Sequence, residues 1–328
     1  MKIALDAMGG DFAPAAVVEG AVLAAREILG AKDEIILVGL EKEIQDELKK
    51  QNVEGLNLQV FPATEVVGMD EHPAKALKTK PNSSIAITVG LQIKKKADAS
   101  ISAGNTGAMM AASFLGLGAL ADVVRPAIAS QFPTILSKPT LVLDVGANAD
   151  CKPMQLLQFA IMGSLYMETV VGVHEPKVGL LNIGSESTKG NELSVATYEL
   201  LKKSKLNFFG NVEGYDILKG TVDVVVCEGF VGNVVLKFGE SFIHLIKSKL
   251  EDDFWKDSRF DRLKKEINYE EHGGAPLLGI NGISMIAHGA STPTAIKNGI
   301  RTTLRMAEQD INSKIRKHLE LYGKIRGN

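Results

Sequence analysis

Short runs of apolar, often β-branched residues alternate with longer stretches of helical periodicity along most of this 328-residue chain. No other feature restricts the fold as much. The runs predict strands at Lys2–Asp6, Glu34–Val38, Leu58–Phe61, Ala99–Ser102, Ala127–Phe132, Leu141–Val145, Val178–Asn182, Leu206–Phe209, Val222–Cys227 and Ser284–Ala287. Helical spacing occupies Ala15–Leu29, Glu41–Gln51, Met154–Glu168, Leu193–Lys203 and Ala295–Leu321. A run such as Ile35-Ile36-Leu37-Val38 offers no polar face, as expected of a parallel strand covered by helices on both sides. The fold class expected is α/β, a three-layer αβα arrangement around a mostly parallel sheet. No repeat, low-complexity tract or linker interrupts it, so residues 1–328 are expected to form a single α/β unit.

Composition narrows the function classes. With 45% hydrophobic and 23% charged residues, the chain has the material for a large core and lacks the charge excess of a disordered one. A net charge of −2 argues against a nucleic-acid partner held on a broad basic face. Two cysteines, Cys151 and Cys227, make no disulfide scaffold and point to a reducing compartment. The opening Met1–Asp6 reaches an acid after one short apolar run, which is a strand pattern and not that of a signal peptide. The Ala103–Ala121 stretch carries Asn105 and Thr106 and is expected to be a buried helix, not a membrane span. A soluble, cytosolic protein is expected.

The 32 glycines gather where strands end. Six small-residue turns follow apolar runs: Asp6–Asp11, Ser102–Gly107, Asp144–Asp150, Asn182–Asn191, Glu228–Asn233 and His288–Ser291. In a parallel sheet, ligands bind beyond the carboxyl ends of strands. Turns of Gly, Asn, Ser and Thr at that edge aim backbone N–H groups and helix N-termini at a common anion. For any one turn, close packing of a βα loop is explanation enough; the repetition is what predicts a crevice for an anion.

Other chemistries fail on their motifs. Gly184–Gly190 has its lysine before the glycine, whereas a nucleotide-binding P-loop needs Gly-Lys-Ser/Thr. Gly116–Ala121 fits a loose GxGxxA but lies inside an apolar helical run, with no strand before it. The six histidines are scattered and neither cysteine has a C-x-x-C partner, so no metal and no cofactor are expected. There is no G-x-S-x-G elbow, and neither thiol has a basic neighbour to activate it. Without a protein nucleophile, the bound anion itself becomes the attacking group, needing only positioning and charge compensation.

From Gly239 to Gly273 the text is charged and amphipathic, with Phe242, Leu245, Ile246, Leu250 and Phe254 at helical spacing, then Phe260, Leu263 and Ile267. A helical hairpin is expected there. Two readings stand: it packs on its own body or a sister subunit, or it projects and touches lipid through Phe254 and Trp255, the latter the only tryptophan.

The turns at Asp6–Asp11, Ser102–Ala108, Asp144–Asp150, Asn182–Asn191 and Glu228–Asn233, taken in order, resemble the bacterial phosphate acyltransferase family, PlsX, over essentially the whole chain. That resemblance implies transfer of a long-chain acyl group from acyl-[acyl carrier protein] to inorganic phosphate, giving acyl phosphate for phospholipid synthesis. It also implies a fold like isocitrate/isopropylmalate dehydrogenases and phosphotransacetylases, a homodimer, and loose attachment to the inner face of the cell membrane. A membrane glycerol-3-phosphate acyltransferase that uses acyl phosphate would be the functional partner.

On this footing, phosphate is expected on the turns holding Gly104, Thr106 and Gly107, Gly184, Ser185, Ser187 and Thr188, and Gly232 and Asn233, with Lys189 as charge partner. Asn105, Thr106 or Asn148 would donate to the developing oxyanion, and His288, Asp6, Asp11 or Asp150 would handle the proton. Met109, Met110 and Phe114 would line an acyl slot. The acidic carrier protein would seek a basic face: Lys94–Lys96, the Lys75, Lys78 and Lys80 group, or the stretch from 297 onward, with eight Lys/Arg against three Asp/Glu. Two rivals stay open: a phosphotransacetylase-like enzyme using acyl-coenzyme A, and a peripheral membrane scaffold for lipid-synthesis enzymes.

Overall fold

The apolar runs pair side by side as strands because each must bury both of its faces. The computed structural model describes residues 1–136, 138–250, 257 and 273–325. In chain order the strands are β1 (Lys2–Asp6), β2 (Glu34–Gly39), β3 (Leu58–Pro62), β4 (Ala99–Ser102), β5 (Ala127–Phe132), β6 (Thr140–Leu143), β7 (Val178–Leu181), β8 (Phe208–Val212), β9 (Val224–Val226), β10 (Ala275–Leu278) and β11 (Ile283–Ile286). The helices are α1 (Ala15–Glu27), α2 (Glu41–Leu48), α3 (Pro73–Thr79), α4 (Ser84–Ile93), α5 (Thr106–Leu117), α6 (Pro153–Tyr166), α7 (Glu192–Lys202), α8 (Gly214–Lys219), α9 (Gly229–Lys249), α10 (Pro293–Glu308) and α11 (Ile311–Ile325).

Two compact units form, Met1–Ala121 with His272–Asn312, and Asp122–Glu271 with Ser313–Asn328. Each is built from separated pieces of chain, so no single linker divides them. The first unit orders its strands β3-β2-β1-β4-β11-β10, parallel except for β10 against β11. The second orders β5-β6-β9-β7-β8, parallel except for β5 against β6. The mostly parallel, helix-covered architecture is the one expected.

Burial explains the patterning. Ile35 to Val38, Leu141 to Leu143 and Val224 to Val226 are all buried. Helix α6 is apolar nearly all round, with Phe159 and Tyr166 fully enclosed, as a helix hydrophobic on every side must be. In the first unit α1 packs on α10 at Gly20, where a Cβ would stand 2.6 Å from Cβ of Ile296. Helix α5 buries Met109 and Ser113 but leaves Leu115 exposed, so only one face of it is interior.

Several elements differ from expectation, among them α3, α4 and α8, which lie where no helix was predicted. Strand β10 was missed because Pro276 reads as a strand breaker; here it pairs opposite Met285 of β11. The long helix expected at Ala295–Leu321 is two, α10 and α11, with Asp310 between them at φ 46°. The strand expected at Leu206–Phe209 starts at Phe208, because Phe208 N–H first turns back onto the Leu206 carbonyl. Of the expected hairpin, the stretch through Lys249 continues α9, while Phe254 and Trp255 lie outside the described residues.

Candidate active site

Three of the six turns belong to the first unit. β1 and β4 are parallel neighbours with Asp6 opposite Ser102, and connections leave them in opposite directions, the place where such sheets open a crevice. The Ser102 hydroxyl donates to Asp6 Oδ2 at 2.7 Å and accepts the Gly104 N–H at 3.0 Å. Met8 N–H donates to Asp6 Oδ1 at 3.1 Å. Burial raises the Asp6 carboxyl above the usual range, opposed by hydrogen bonds from Ser84, Ser102, Met8 and Gly9. Gly9 has no room for a side chain: a Cβ would stand 2.5 Å from Gly104 N and 2.9 Å from Asp6 Oδ2.

The 288–291 turn is tied in as well. Ala287 N–H donates to the Ser102 carbonyl at 2.9 Å, and Asp11 N–H to the Gly289 carbonyl at 2.7 Å. His288 is exposed and its Nδ1 accepts the Ala290 N–H at 3.1 Å, which places the ring proton of the neutral form on Nε2. Asp6, Gly104, Asp11 and His288 are therefore brought to one edge of this unit.

Asn105 heads α5. Its Oδ1 accepts the Ala108 N–H at 2.9 Å, a side-chain N-cap. Its Nδ2 donates to the carbonyls of Gly68, Met69 and Glu71 at 3.2, 3.1 and 2.9 Å. The amide is thus engaged in holding the 68–71 segment rather than presented to a ligand. The Gly104 N–H is likewise engaged, by Ser102. The donors that α5 leaves at its first turn are the N–H groups of Thr106 and Gly107. Met109 is fully buried, and Met110 and Phe114 are half-buried on the same helix.

The other three turns belong to the second unit. Asp144, at the end of β6, is buried and collects N–H donors from Ile128, Gly146, Ala147 and Asn148, plus Asn148 Nδ2 at 2.8 Å. Desolvation still holds its carboxyl above the usual range. Asn148 Nδ2 also donates to the Pro126 carbonyl at 2.7 Å, so this amide too is engaged. Glu228 caps α9 by accepting the Val231 N–H at 2.8 Å, and burial raises it, helped by the charges of Asp144 and Asp150. Gly229 donates its N–H to the Asn148 carbonyl at 2.7 Å. A Cβ on Gly232 would collide with the Asp144 carbonyl oxygen, and Asn233 lies over Gly146. Gly232 is buried and serves close packing of α9 on the Asp144 turn. Asp150 is exposed.

Both thiols are held protonated. Burial pushes Cys151 up to about 12, helped by the charges of Asp144, Glu228 and Asp150. Burial raises Cys227 well above its ordinary value, with Glu228 and Asp144 adding to it.

The loop between β7 and α7 is different in character. Ser185, Ser187, Thr188 and Lys189 are all exposed on it, and Gly184 is half-buried. Asn191 ends it by capping α7, its Oδ1 accepting the Ser194 N–H at 2.9 Å. Ser102, Asp144, Asn182 and Asn211 organise these turns, and sequence reading did not single them out as site residues. An acid or hydroxyl closing an apolar strand just before a Gly-rich turn was the available signal for the first two. Among the described residues, no group of three His, Cys, Asp or Glu side chains is placed to hold a metal ion.

Comparison with known proteins accords with this architecture. A family model described as a fatty acid synthesis protein matches residues 1–314. The chain is 50% identical to a phosphate acyltransferase of Desulfitobacterium hafniense, over 97% of this chain and 98% of that one. It is 48% identical to a phosphate acyltransferase of Heliobacterium modesticaldum, again over 97% and 98%. Among solved structures, a phosphotransacetylase from Streptococcus pyogenes superposes with a TM-score of 0.63, at 16% identity over 94% of each chain. The EutD phosphotransacetylase of Staphylococcus aureus gives 0.58 at 14% identity, also over 94% of each. With a full-length family match and relatives near half identity, this chain belongs to the phosphate acyltransferase (PlsX) family of acyltransferase enzymes.

Proposed function

We propose that the protein transfers a long-chain acyl group from acyl-[acyl carrier protein] to inorganic phosphate. A phosphate oxygen attacks the thioester carbonyl carbon and the C–S bond breaks. The proton of hydrogen phosphate ends on the sulfur, leaving acyl phosphate and the carrier thiol. One observation carries the reading: both thiols are held protonated, while the 182–191 loop exposes its single cation, Lys189, among Ser185, Ser187 and Thr188. An attacking anion held by a lysine and hydroxyls replaces a protein nucleophile.

We assign phosphate to Lys189, Ser185, Ser187, Thr188 and the turn at Gly184. Asn105 and Asn148 act by holding their turns, because their amides are already bonded. Gly104, Gly232 and Asn233 shape backbone in the same way. His288 is assigned the proton, its exposed imidazole having one donor and one acceptor nitrogen in the neutral form. Asp11 and Asp150 are exposed alternates, and Asp6 braces the first unit. Met109, Met110 and Phe114 remain our assignment for the acyl slot.

A homodimer is supported by α9, where Phe230, Val234, Phe238, Phe242 and Leu245 are exposed and fall on one face at about 100° per residue. Phe238 and Phe242 stack there at 6.4 Å. A stripe of this kind suits a second copy of the chain. Among the described residues no helix is long and apolar enough to cross a membrane. In the proposed reaction sequence the acyl phosphate passes to a membrane glycerol-3-phosphate acyltransferase, with this protein held peripherally on the cytoplasmic face.

The experiment supplies phosphate with either palmitoyl-carrier protein or acetyl-coenzyme A and measures acyl phosphate. Product from the first alone is expected. Product only from the second would favour the phosphotransacetylase reading that the fold neighbours invite, and product from neither would favour a scaffold.

A further inference from the structure

Lys189 stands on a loop whose backbone is held at three points by two asparagines that the reaction itself does not require. Asn182, at the end of β7, donates Nδ2 to the Lys189 carbonyl at 2.9 Å, while its Oδ1 accepts the Ile183 N–H at 2.8 Å. On the other side Lys189 N–H donates to the Glu186 carbonyl at 3.1 Å. That carbonyl also accepts Nδ2 of Asn211, from the neighbouring strand β8, at 2.7 Å. Asn182 is itself anchored to β8, its N–H donating to the Val212 carbonyl at 2.8 Å. Both ends of the Lys189 peptide are thereby referred to the sheet.

Asn211 is hard to explain as packing. It is 3% exposed, and its Oδ1 finds no partner among the described residues. The amide cannot simply be reversed, because the Glu186 carbonyl only accepts and needs the nitrogen facing it. A buried amide oxygen left unpaired is costly, and an apolar side chain would fill this strand position without that cost. What Asn211 supplies and an apolar residue lacks is the donor on Glu186. The glycines complete the cradle. A Cβ on Gly184 would stand 3.3 Å from Lys189 Cγ, and Gly190, at φ 101°, would press a Cβ into the Asn182 amide.

We infer that Asn182 and Asn211 are positioning residues for phosphate, holding the Lys189 backbone so that its ammonium group is presented in one place. The inference rests on the assignment of Lys189 to phosphate. It predicts a selective kinetic effect, since positioning a ground-state charge partner acts on phosphate and not on the thioester.

The test measures Asn182→Ser and Asn211→Leu in the full-length enzyme, beside Lys189→Met. In each asparagine variant KM for phosphate should rise about tenfold, the size expected when a preorganising hydrogen bond is lost, with KM for the acyl thioester unchanged. Melting temperature should stay level in Asn182→Ser, and in Asn211→Leu it should hold or rise because the unpaired oxygen is gone. Asn182 is only half-buried, so Asn182→Ser keeps the test alive if Asn211→Leu does not fold. An unchanged phosphate KM, or an equal rise for both substrates, overturns the inference while a dead Lys189→Met leaves the lysine assignment standing. An active Lys189→Met removes that assignment, and the inference with it.

Discussion

Ser102 and Asp6, 96 residues apart in sequence, are joined at the carboxyl ends of adjacent parallel strands by a 2.7 Å hydrogen bond from hydroxyl to carboxylate. The same hydroxyl oxygen accepts the Gly104 N–H, so one pair fixes the geometry of two strand-to-helix turns. The second unit repeats the device with Asp144, which collects its donors from Ile128 and from the turn that follows it. In both units a buried aspartate at a strand end organises backbone that would otherwise need solvent.

That aspartate makes stability depend on pH in a defined direction. Desolvation raises Asp6, so the folded state binds its proton more tightly than the unfolded chain does. The stabilisation linked to that proton is complete below the unfolded value of about 4 and is lost as pH rises through the folded value. Asp6→Asn removes this titration. The urea midpoint of Asp6→Asn relative to wild type should therefore climb from pH 4 toward neutrality. A difference that stays flat across that range would show that Asp6 is not held protonated by burial.

Neither thiol should take part in chemistry. With Cys151 pushed up to about 12 and Cys227 raised well above its ordinary value by burial, the thiolate fraction at neutral pH is negligible. A Cys151→Ser/Cys227→Ala variant should keep kcat within about threefold of wild type, and iodoacetamide should not inactivate the enzyme. A loss on the order of 10³ in kcat would instead reveal an acyl-enzyme intermediate.

Two glycine substitutions should act in opposite senses. Gly232→Ala drives a Cβ into the Asp144 carbonyl oxygen and should cost about 1–3 kcal/mol or more of unfolding free energy. Gly90, inside α4, has nothing within 4 Å of an added Cβ, so Gly90→Ala should stabilise by about 0.5–1 kcal/mol. Chemical denaturation of the two variants measures both, and a neutral Gly232→Ala would mean that α9 shifts freely on the Asp144 turn.

Lys189→Met tests the phosphate assignment directly. Lys189 is exposed, so its removal should leave thermal unfolding nearly unchanged while lowering kcat/KM for phosphate by about 10²–10³. Wild-type turnover in that variant would take the lysine out of the reaction.

The sequence by itself determines the α/β class, because a continuously apolar run such as Ile35 to Val38 has only one stable environment, a strand covered on both sides. It also marks the starts of α5, α7 and α10, since Asn105, Asn191 and Thr292 bond to N–H groups three residues on, a local interaction written in local sequence. It places the glycine turns at strand ends for the same reason. What neighbours across the sheet contribute is not written there. Pro276 reads as a breaker, yet it lies within β10 opposite Met285 of β11. Asn105 and Asn148 look like free donors until carbonyls from residues 68–71 and Pro126 take their amide protons. Asn211 carries no signal at all, since its partner, the Glu186 carbonyl, lies on a loop 25 residues away. Side-chain type sets what a residue can bond to; only the tertiary structure decides which bonds are already made.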